Sequence, residues 1–276
     1  MKLVPVVGML FGILAVLSGT AYAQRMKLED VLVVNVPDLK PDADTKAFEQ
    51  YVLTQVAPAW KKNAPGMDLH LVRADRGSRK GQYMLAWTTD TRERRKGYAS
   101  ASGGSPFTPE LRARVGDFRP GFQPFINSGG QYHEYHLVSP EKAGTLPDVE
   151  ILGFHYTKVR PDRRAAFETF VAEKLHPAVA NLRPDIRVLY YKSVRGPDEG
   201  NYLAVFALTS ASRDKYWPGG SDSNELRAAF SPAIRELAKE LQTYLVEGSY
   251  ADNPKLAAAV YESKEWTDFV VIPPVR

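Results

Sequence analysis

Ala47-Phe48-Glu49, Val52, Pro58-Ala59, Arg76-Gly77, Gly81 and Tyr83 recur, in the same order, as Ala166-Phe167-Glu168, Val171, Pro177-Ala178, Arg195-Gly196, Gly200 and Tyr202. One shift of 119 residues superposes every pair. Across residues 44–98 and 163–217, 13 of 55 positions are identical without a gap, which chance does not explain. Further on, Gly103-Gly104-Ser105 recurs as Gly219-Gly220-Ser221, and Glu110-Leu111-Arg112-Ala113 as Glu225-Leu226-Arg227-Ala228. The matches gather at glycine, proline and aromatic positions, which fix turns and packing. Two copies of one fold therefore follow each other in the chain.

Each copy reads β-α-β-β-α-β. In the first, Val31–Val36 is a β-branched run and hence a strand. Phe48, Val52, Val56 and Trp60 fall at helical spacing within residues 43–62. Met67–Asp75 and Gln82–Thr89 are strands around the Arg76–Gly81 turn. Thr108–Phe125 reads as a helix with Thr108 as N-cap, and Tyr132–Val138 as the closing strand. In the second copy Glu150–Lys158 is a strand, 161–182 a helix, Ile186–Val194 and Asn201–Leu208 a hairpin, Asn224–Leu245 a helix and Trp266–Ile272 a strand. This is the order of a ferredoxin-like unit. One such sheet has helices on one face only, and the other face needs a partner. The expected fold class is α+β, with two tandem ferredoxin-like repeats (29–138 and 150–273) joined by a linker at 139–149 and closing an intramolecular α/β barrel.

The composition agrees with an ordinary folded chain. Of 276 residues, 44% are hydrophobic and 25% charged, which excludes a disordered, collagen-like or multi-pass membrane protein. The chain has no cysteine, so disulfides, thiolate zinc sites, iron–sulfur clusters and a cysteine nucleophile are excluded. A formal net charge of +4 gives no argument for nucleic acid. At the N-terminus Lys2, the apolar run Leu3–Leu17 and Ala21-Tyr22-Ala23 form a secretory signal peptide, residues 1–23, cleaved after Ala23. The run is shorter than the roughly 20 residues of a membrane span, so no membrane attachment is expected after cleavage. The mature chain is expected to be periplasmic or secreted.

The duplicated β-α-β-β-α-β order resembles the dimeric α/β-barrel superfamily in fused tandem form. That group includes EthD-type and NIPSNAP-type proteins, haem-degrading and antibiotic-biosynthesis monooxygenases, and chlorite dismutases. The resemblance covers nearly all of residues 29–273. The local stretch Phe170-Val-Ala-Glu-Lys-Leu-His176-Pro177 is similar to the EthD-type pattern of an aromatic followed by a His near a Pro, although here His and Pro are adjacent. The resemblance implies a barrel that binds a small molecule, with or without oxygenase chemistry, and it makes haem the cofactor to consider.

His176 and His155 are the candidate catalytic residues. His176 has Ala57 as its counterpart, so it belongs to one copy only. A neutral imidazole there suits a haem ligand or a general base; the structural alternative is a surface histidine at a proline kink. His155 lies on the first strand of the second copy, opposite Asn35 of the first. Alternation places Ile151, Gly153, His155 and Thr157 on one face and Leu152, Phe154 and Tyr156 on the other. If the second set packs on helices, His155 points into the barrel. By the resemblance, Asn35 matches an asparagine that haem-degrading members place near haem. Tyr190, Tyr202 and Trp217, with Asn35, are the candidate pocket residues for a flat apolar ligand, or else ordinary core. The Arg76–Gly81 and Arg195–Gly200 loops read as hairpin turns rather than phosphate cradles. His133 and His136 point to opposite faces of a strand and cannot share one metal ion, so no metal site is expected. Three functions stay open: an exported small-molecule-binding barrel, a haem-dependent or cofactor-free monooxygenase-like enzyme, and a structural protein, with homodimerisation also open.

Overall fold

In the computed structural model the described residues are 25–100, 105–141, 148–182, 186–220, 232–247, 250–251, 262–263 and 266–273. The expected signal peptide, most of the linker and residues 224–231 of the expected last helix lie outside them.

Eight strands close into one antiparallel barrel. They are β1 (Val31–Leu39), β2 (Met67–Gly77), β3 (Tyr83–Thr89), β4 (Ile126–Leu137), β5 (Ile151–Thr157), β6 (Arg187–Arg195), β7 (Tyr202–Leu208) and β8 (Trp266–Val271). Around the barrel the order is β8-β2-β3-β1-β4-β6-β7-β5, returning to β8. Each repeat supplies four adjacent strands. Two seams, β4–β6 and β8–β2, join the halves. The tandem α/β barrel expected from the repeat is the observed architecture.

Alternation along the strands divides two apolar layers. Leu32, Val34, Val72, Met84, Tyr135, Leu152, Phe154, Tyr191, Val205 and Phe269 fill the lumen, and Met26, Leu28 and Val149 pack into the same cluster beside the short Met26-Lys27/Asp148-Val149 ladder. Val31, Val33, Leu69, Leu71 and Trp87 face the helices of the first repeat, and Ile151, Val188, Tyr190, Tyr202 and Leu208 those of the second. Burying each such side chain contributes about 1.5–3 kcal/mol. The lumen is thus a packed core.

The helices are α1 (Thr45–Tyr51), α2 (Ala57–Asn63), α3 (Arg92–Tyr98), α4 (Pro109–Val115) and α5 (Arg119–Phe122) in the first repeat, then α6 (Arg164–Phe170), α7 (His176–Leu182), α8 (Ser210–Tyr216) and α9 (Pro232–Gln242). Between α1 and α2, and again between α6 and α7, runs one π turn, Val52–Val56 and Val171–Leu175. Its cause is written in the repeat: Pro58 and Pro177 have no amide hydrogen, and a proline ring clashes with the carbonyl four residues back. Widening the turn lets the Ala57 and His176 amides donate to the Val52 and Val171 carbonyls instead.

Three expectations need correction. Thr108–Phe125 is two helices, because Gly116 at φ +115° ends α4. Thr108 does cap the first, accepting from the Leu111 amide. The closing strand of the first repeat starts at Ile126, not Tyr132. The third concerns direction. Leu152 and Phe154 point into the lumen, so Gly153 and His155 face the helices. A closed barrel takes the bulkier apolar set inside, and His155 does not point into it.

Candidate functional site

Asn35 and His155 occupy matching places on β1 and β5, each opposite an aromatic residue of its repeat's last strand, Tyr132 and Trp266. By the same registers Val33 and Gly153 lie opposite Glu134 and Asp268. Each repeat therefore has a helix-side groove over its own sheet, and the two can be compared residue by residue.

The first groove is filled. Trp60, Trp87 and Phe107 are buried and meet edge to face or tilted, with centroids 4.7–5.6 Å apart, and Tyr132 closes on Trp87 and Phe107. Asn35 is buried and structural: its Nδ2 donates to the carbonyls of Gly129 (2.6 Å) and Gln131 (3.2 Å). In the second groove Val179 stands for Trp60, Phe206 for Trp87 and Gly153 for Val33. The stretch 221–224, which follows the repeated Gly-Gly as Phe107 does, carries no aromatic residue. His155, Val179, Phe206, Trp217 and Trp266 are all half-buried.

His155 is flanked by Phe206 (4.6 Å between ring centroids) and Trp266 (6.4 Å, nearly parallel). Its ring nitrogens bond no described residue. Desolvation lowers its pKa to about 4, so the imidazole is neutral at physiological pH. Trp217 caps the end of α8 and meets Phe206 edge-on at 6.2 Å. Asp268 is buried opposite Gly153, so close that a Cβ on residue 153 would lie 3.2 Å from its Oδ1 and 3.0 Å from Phe206 Cβ. Among the described residues Asp268 makes no hydrogen bond or ion pair. Burial raises its pKa to about 6, with Arg213 opposing the shift and Asp75 adding to it. A neutral imidazole and a carboxylate titrating near 6 thus share an aromatic-walled face.

Glu134, the counterpart of Asp268, is held differently. It accepts from Arg95 Nη2 at 2.6 Å and lies 3.2 Å from His136 Nε2. Arg95 and Arg213 are the same residue of their helices, fourth after the caps Thr91 and Thr209. Arg213, however, bonds Asp75 at 2.6 Å, and no described residue bonds Asp268.

The remaining candidates have settled partners. Tyr190 is core of the second repeat. Tyr202 donates to Glu168 at 2.6 Å, and Tyr83 makes the same bond to Glu49. His176 is buried beyond α6, with Nε2 2.8 Å from Glu141 Oε1, so it is no surface residue and does not belong to the groove. His133 stacks on Tyr135 in the lumen, while His136 turns outward to Glu134. The structure brings together His155 and Trp217 from the sequence candidates and adds Gly153, Phe206, Trp266 and Asp268. One signal for Asp268 was present: aromatic-x-acid ends both repeats, as Tyr132-His133-Glu134 and Trp266-Thr267-Asp268.

No protein-family model and no curated protein sequence matches the chain. Among solved structures, similar ones include a proposed monooxygenase from Lactobacillus acidophilus (8% identity, TM-score 0.48, covering 87% of this chain and 92% of that one). A proposed chlorite dismutase is similar at 12% identity and TM-score 0.47, covering 88% and 95%. An anthrone oxidase-like protein follows at 13% and 0.45, covering 91% and 93%. Likeness at this level transfers no chemistry from one protein to another. The architecture itself, two ferredoxin-like halves closing one eight-stranded barrel within a single chain, is that of a dimeric α/β barrel in tandem form.

Proposed function

We propose that this chain is an exported small-molecule-binding α/β-barrel protein whose site is the helix-side groove of the second repeat. The observation that carries this reading is the asymmetry of the two grooves. The first is packed with Trp60, Trp87 and Phe107, while the second has Val179 and Phe206 at the places of Trp60 and Trp87, half-buried aromatic rings, and Asp268, which no described residue bonds. Pockets are recognised by apolar walls with few converging polar groups. Here His155 and Asp268 are those groups, and the ligand is a flat, largely apolar molecule. Export rests on the Lys2, Leu3–Leu17 and Ala21-Tyr22-Ala23 pattern.

A monooxygenase-like activity is the second reading, favoured by Asp268: a carboxylate with a pKa of about 6 accepts a proton from a weakly acidic ligand at neutral pH. Two histidines are the donors to weigh for haem. His176 does not suit it, since its Nε2 is engaged by Glu141. His155 does, with a neutral ring whose nitrogens bond no described residue, between aromatic side chains that suit a flat macrocycle. His155 would hold the iron, and the haem would supply oxygen or electron-transfer chemistry.

Two titrations test the reading on the mature protein. With the fluorescent aromatic probe 1-anilinonaphthalene-8-sulfonate, one equivalent binds, and Gly153→Val or Val179→Trp, restoring residues of the first groove, weakens binding at least tenfold. Val33→Gly leaves it unchanged. Equal binding by Gly153→Val and Val179→Trp would overturn the site. With hemin, a Soret shift lost in His155→Ala and kept in His176→Ala selects the haem form, and a flat titration removes it.

A further inference from the structure

The two seams of the barrel carry matching clusters. Strand β2 meets β8 with Arg76 opposite Asp268 and Ala74 opposite Phe269, so Asp75 is the extra, bulged residue. Strand β6 meets β4 with Arg195 opposite Glu134 and Ser193 opposite Tyr135, so Val194 is the bulged residue. Each seam also takes a helix arginine of the other repeat: half-buried Arg213 on α8 bonds Asp75, and buried Arg95 on α3 bonds Glu134. At the β8–β2 seam two arginines face two carboxylates, and Arg213 Nη1 bonds Asp75 Oδ2 at 2.6 Å. At the β4–β6 seam the second carboxylate is replaced by Val194, and two arginines face Glu134 alone.

The consequence is visible in the donors. Arg95 is 1% exposed; its Nη2 donates to Pro106 O (2.7 Å) and Glu134 Oε2 (2.6 Å), while its Nε and Nη1 have no acceptor. Arg195 donates Nη2 to Ser100 O at 2.6 Å, and its buried Nη1 has no acceptor either. The two charges are close enough to repel: burial pulls the Arg95 guanidinium below its usual range, Glu134 opposes this, and Arg195 adds to it. His136 Nε2 takes up the other Glu134 oxygen at 3.2 Å and supplies no negative charge. A buried guanidinium N–H without an acceptor costs its full desolvation, more than a neutral donor does. At its other seam the same fold places Asp75, which takes Arg213 Nη1 and leaves Nε as the one buried nitrogen of that arginine without an acceptor.

We propose that the β4–β6 seam is a binding site for a compact carboxylate-like anion, held by Arg95 and Arg195 in the role that Asp75 plays for Arg213. A carboxylate between the two arginines would give an acceptor to Arg95 Nη1 and Arg195 Nη1, which have none.

The test uses formate as probe and the whole mature protein, with formate replacing a bulky sulfonate at constant ionic strength. The midpoint of thermal unfolding should rise saturably, by about 4 °C at tenfold excess over the dissociation constant. Val194→Asp supplies the missing carboxylate from the chain; it should unfold higher without formate and lose the formate response. Broadening of the 13C-formate resonance gives a second readout that needs no variant to fold more tightly: wild type broadens it, and Arg195→Gln or Val194→Asp does not. A wild-type midpoint indifferent to formate, or an undiminished response in Val194→Asp, overturns the proposal.

Discussion

Gly77 and Gly81 bracket one hairpin with almost the same backbone, φ +90° and +89°, and very different surroundings. A Cβ on Gly77 would lie 2.3 Å from the Trp266 carbonyl oxygen across the β8–β2 seam; on Gly81 it would meet nothing within 4 Å. Gly81→Ala therefore loses only the positive-φ allowance, about 1 kcal/mol, and Gly77→Ala should lose about 2–4 kcal/mol, since backbone must move as well. Denaturant unfolding of both variants checks this, and equal losses would show that the seam tolerates the atom. Asp268 yields the second residue-scale prediction. Its folded pKa of about 6 lies above the ordinary 3.8, so the folded state holds the proton longer than the unfolded one. Stability is then highest at low pH as far as this group is concerned, falls as pH rises from about 4 to 6, and stays reduced above that. Asp268→Asn should remove that slope and stabilise the protein at pH 8 by about 2 kcal/mol. A variant with an unchanged profile would mean that the carboxyl is solvated or paired in solution.

At the scale of elements, the repeat was legible because its identities carry contacts. Phe48 and Phe167 are core, Glu49 and Glu168 accept from Tyr83 and Tyr202 at 2.6 Å, and Arg76-Gly77 and Arg195-Gly196 end the strands that form the seams. What could not be read was direction. Leu152/Phe154 and Ile151/Gly153 are both buried sets, one in the lumen and one under helices, so alternation separates the faces without saying which is inside. The seven-residue helices α3 and α8 were hidden for another reason: their sequences, Arg92-Glu-Arg-Arg-Lys and Ser210-Ala-Ser-Arg-Asp, look solvated, yet α3 buries Arg95 and α8 buries Ser212 and Tyr216. Asp268 was missed because the aromatic-x-acid pattern gains its meaning only from register, which sets the acid opposite Gly153. The grooves make an element-scale prediction. Trp60 on α2 packs against Trp87 and Phe107, so Trp60→Ala should cost about 3–5 kcal/mol by leaving a cavity; Val179→Ala on α7, half-buried at the matching place, should cost about 1 kcal/mol. Comparable losses at the two sites would mean that the second groove is as tightly filled as the first.

For the whole molecule, the seams decide what a repeat can do alone. The closed barrel has no free strand edge, because β2 of the first half is covered by β8 and β4 by β6. Cutting the chain within the linker would leave the first half with two unpaired edges and the whole lumen face, from Leu32 to Leu137, in water. That is far more apolar surface than a sheet with helices on one side keeps exposed. The halves are related by a two-fold arrangement about the barrel axis, since β1 and β5 run the same way around the ring of antiparallel pairs. A second copy of the first half can therefore take the place of the missing one. In such a pair Arg76 would meet Glu134 at both seams, where Arg76 now faces Asp268 and Arg195 faces Glu134, so each arginine still finds a carboxylate. The lumen would pair His70 and Tyr135 with their own copies in place of Leu189 and Phe269, a poorer fit because the buried His70 already has no hydrogen-bond partner for either ring nitrogen. Residues 25–138 expressed alone should accordingly sediment as a dimer whose unfolding midpoint rises with concentration, and addition of residues 148–273 should convert it to a heterodimer of higher midpoint. A folded, concentration-independent monomer of residues 25–138 would show that one repeat is stable without the second, and that closure of the barrel is not what holds the chain together.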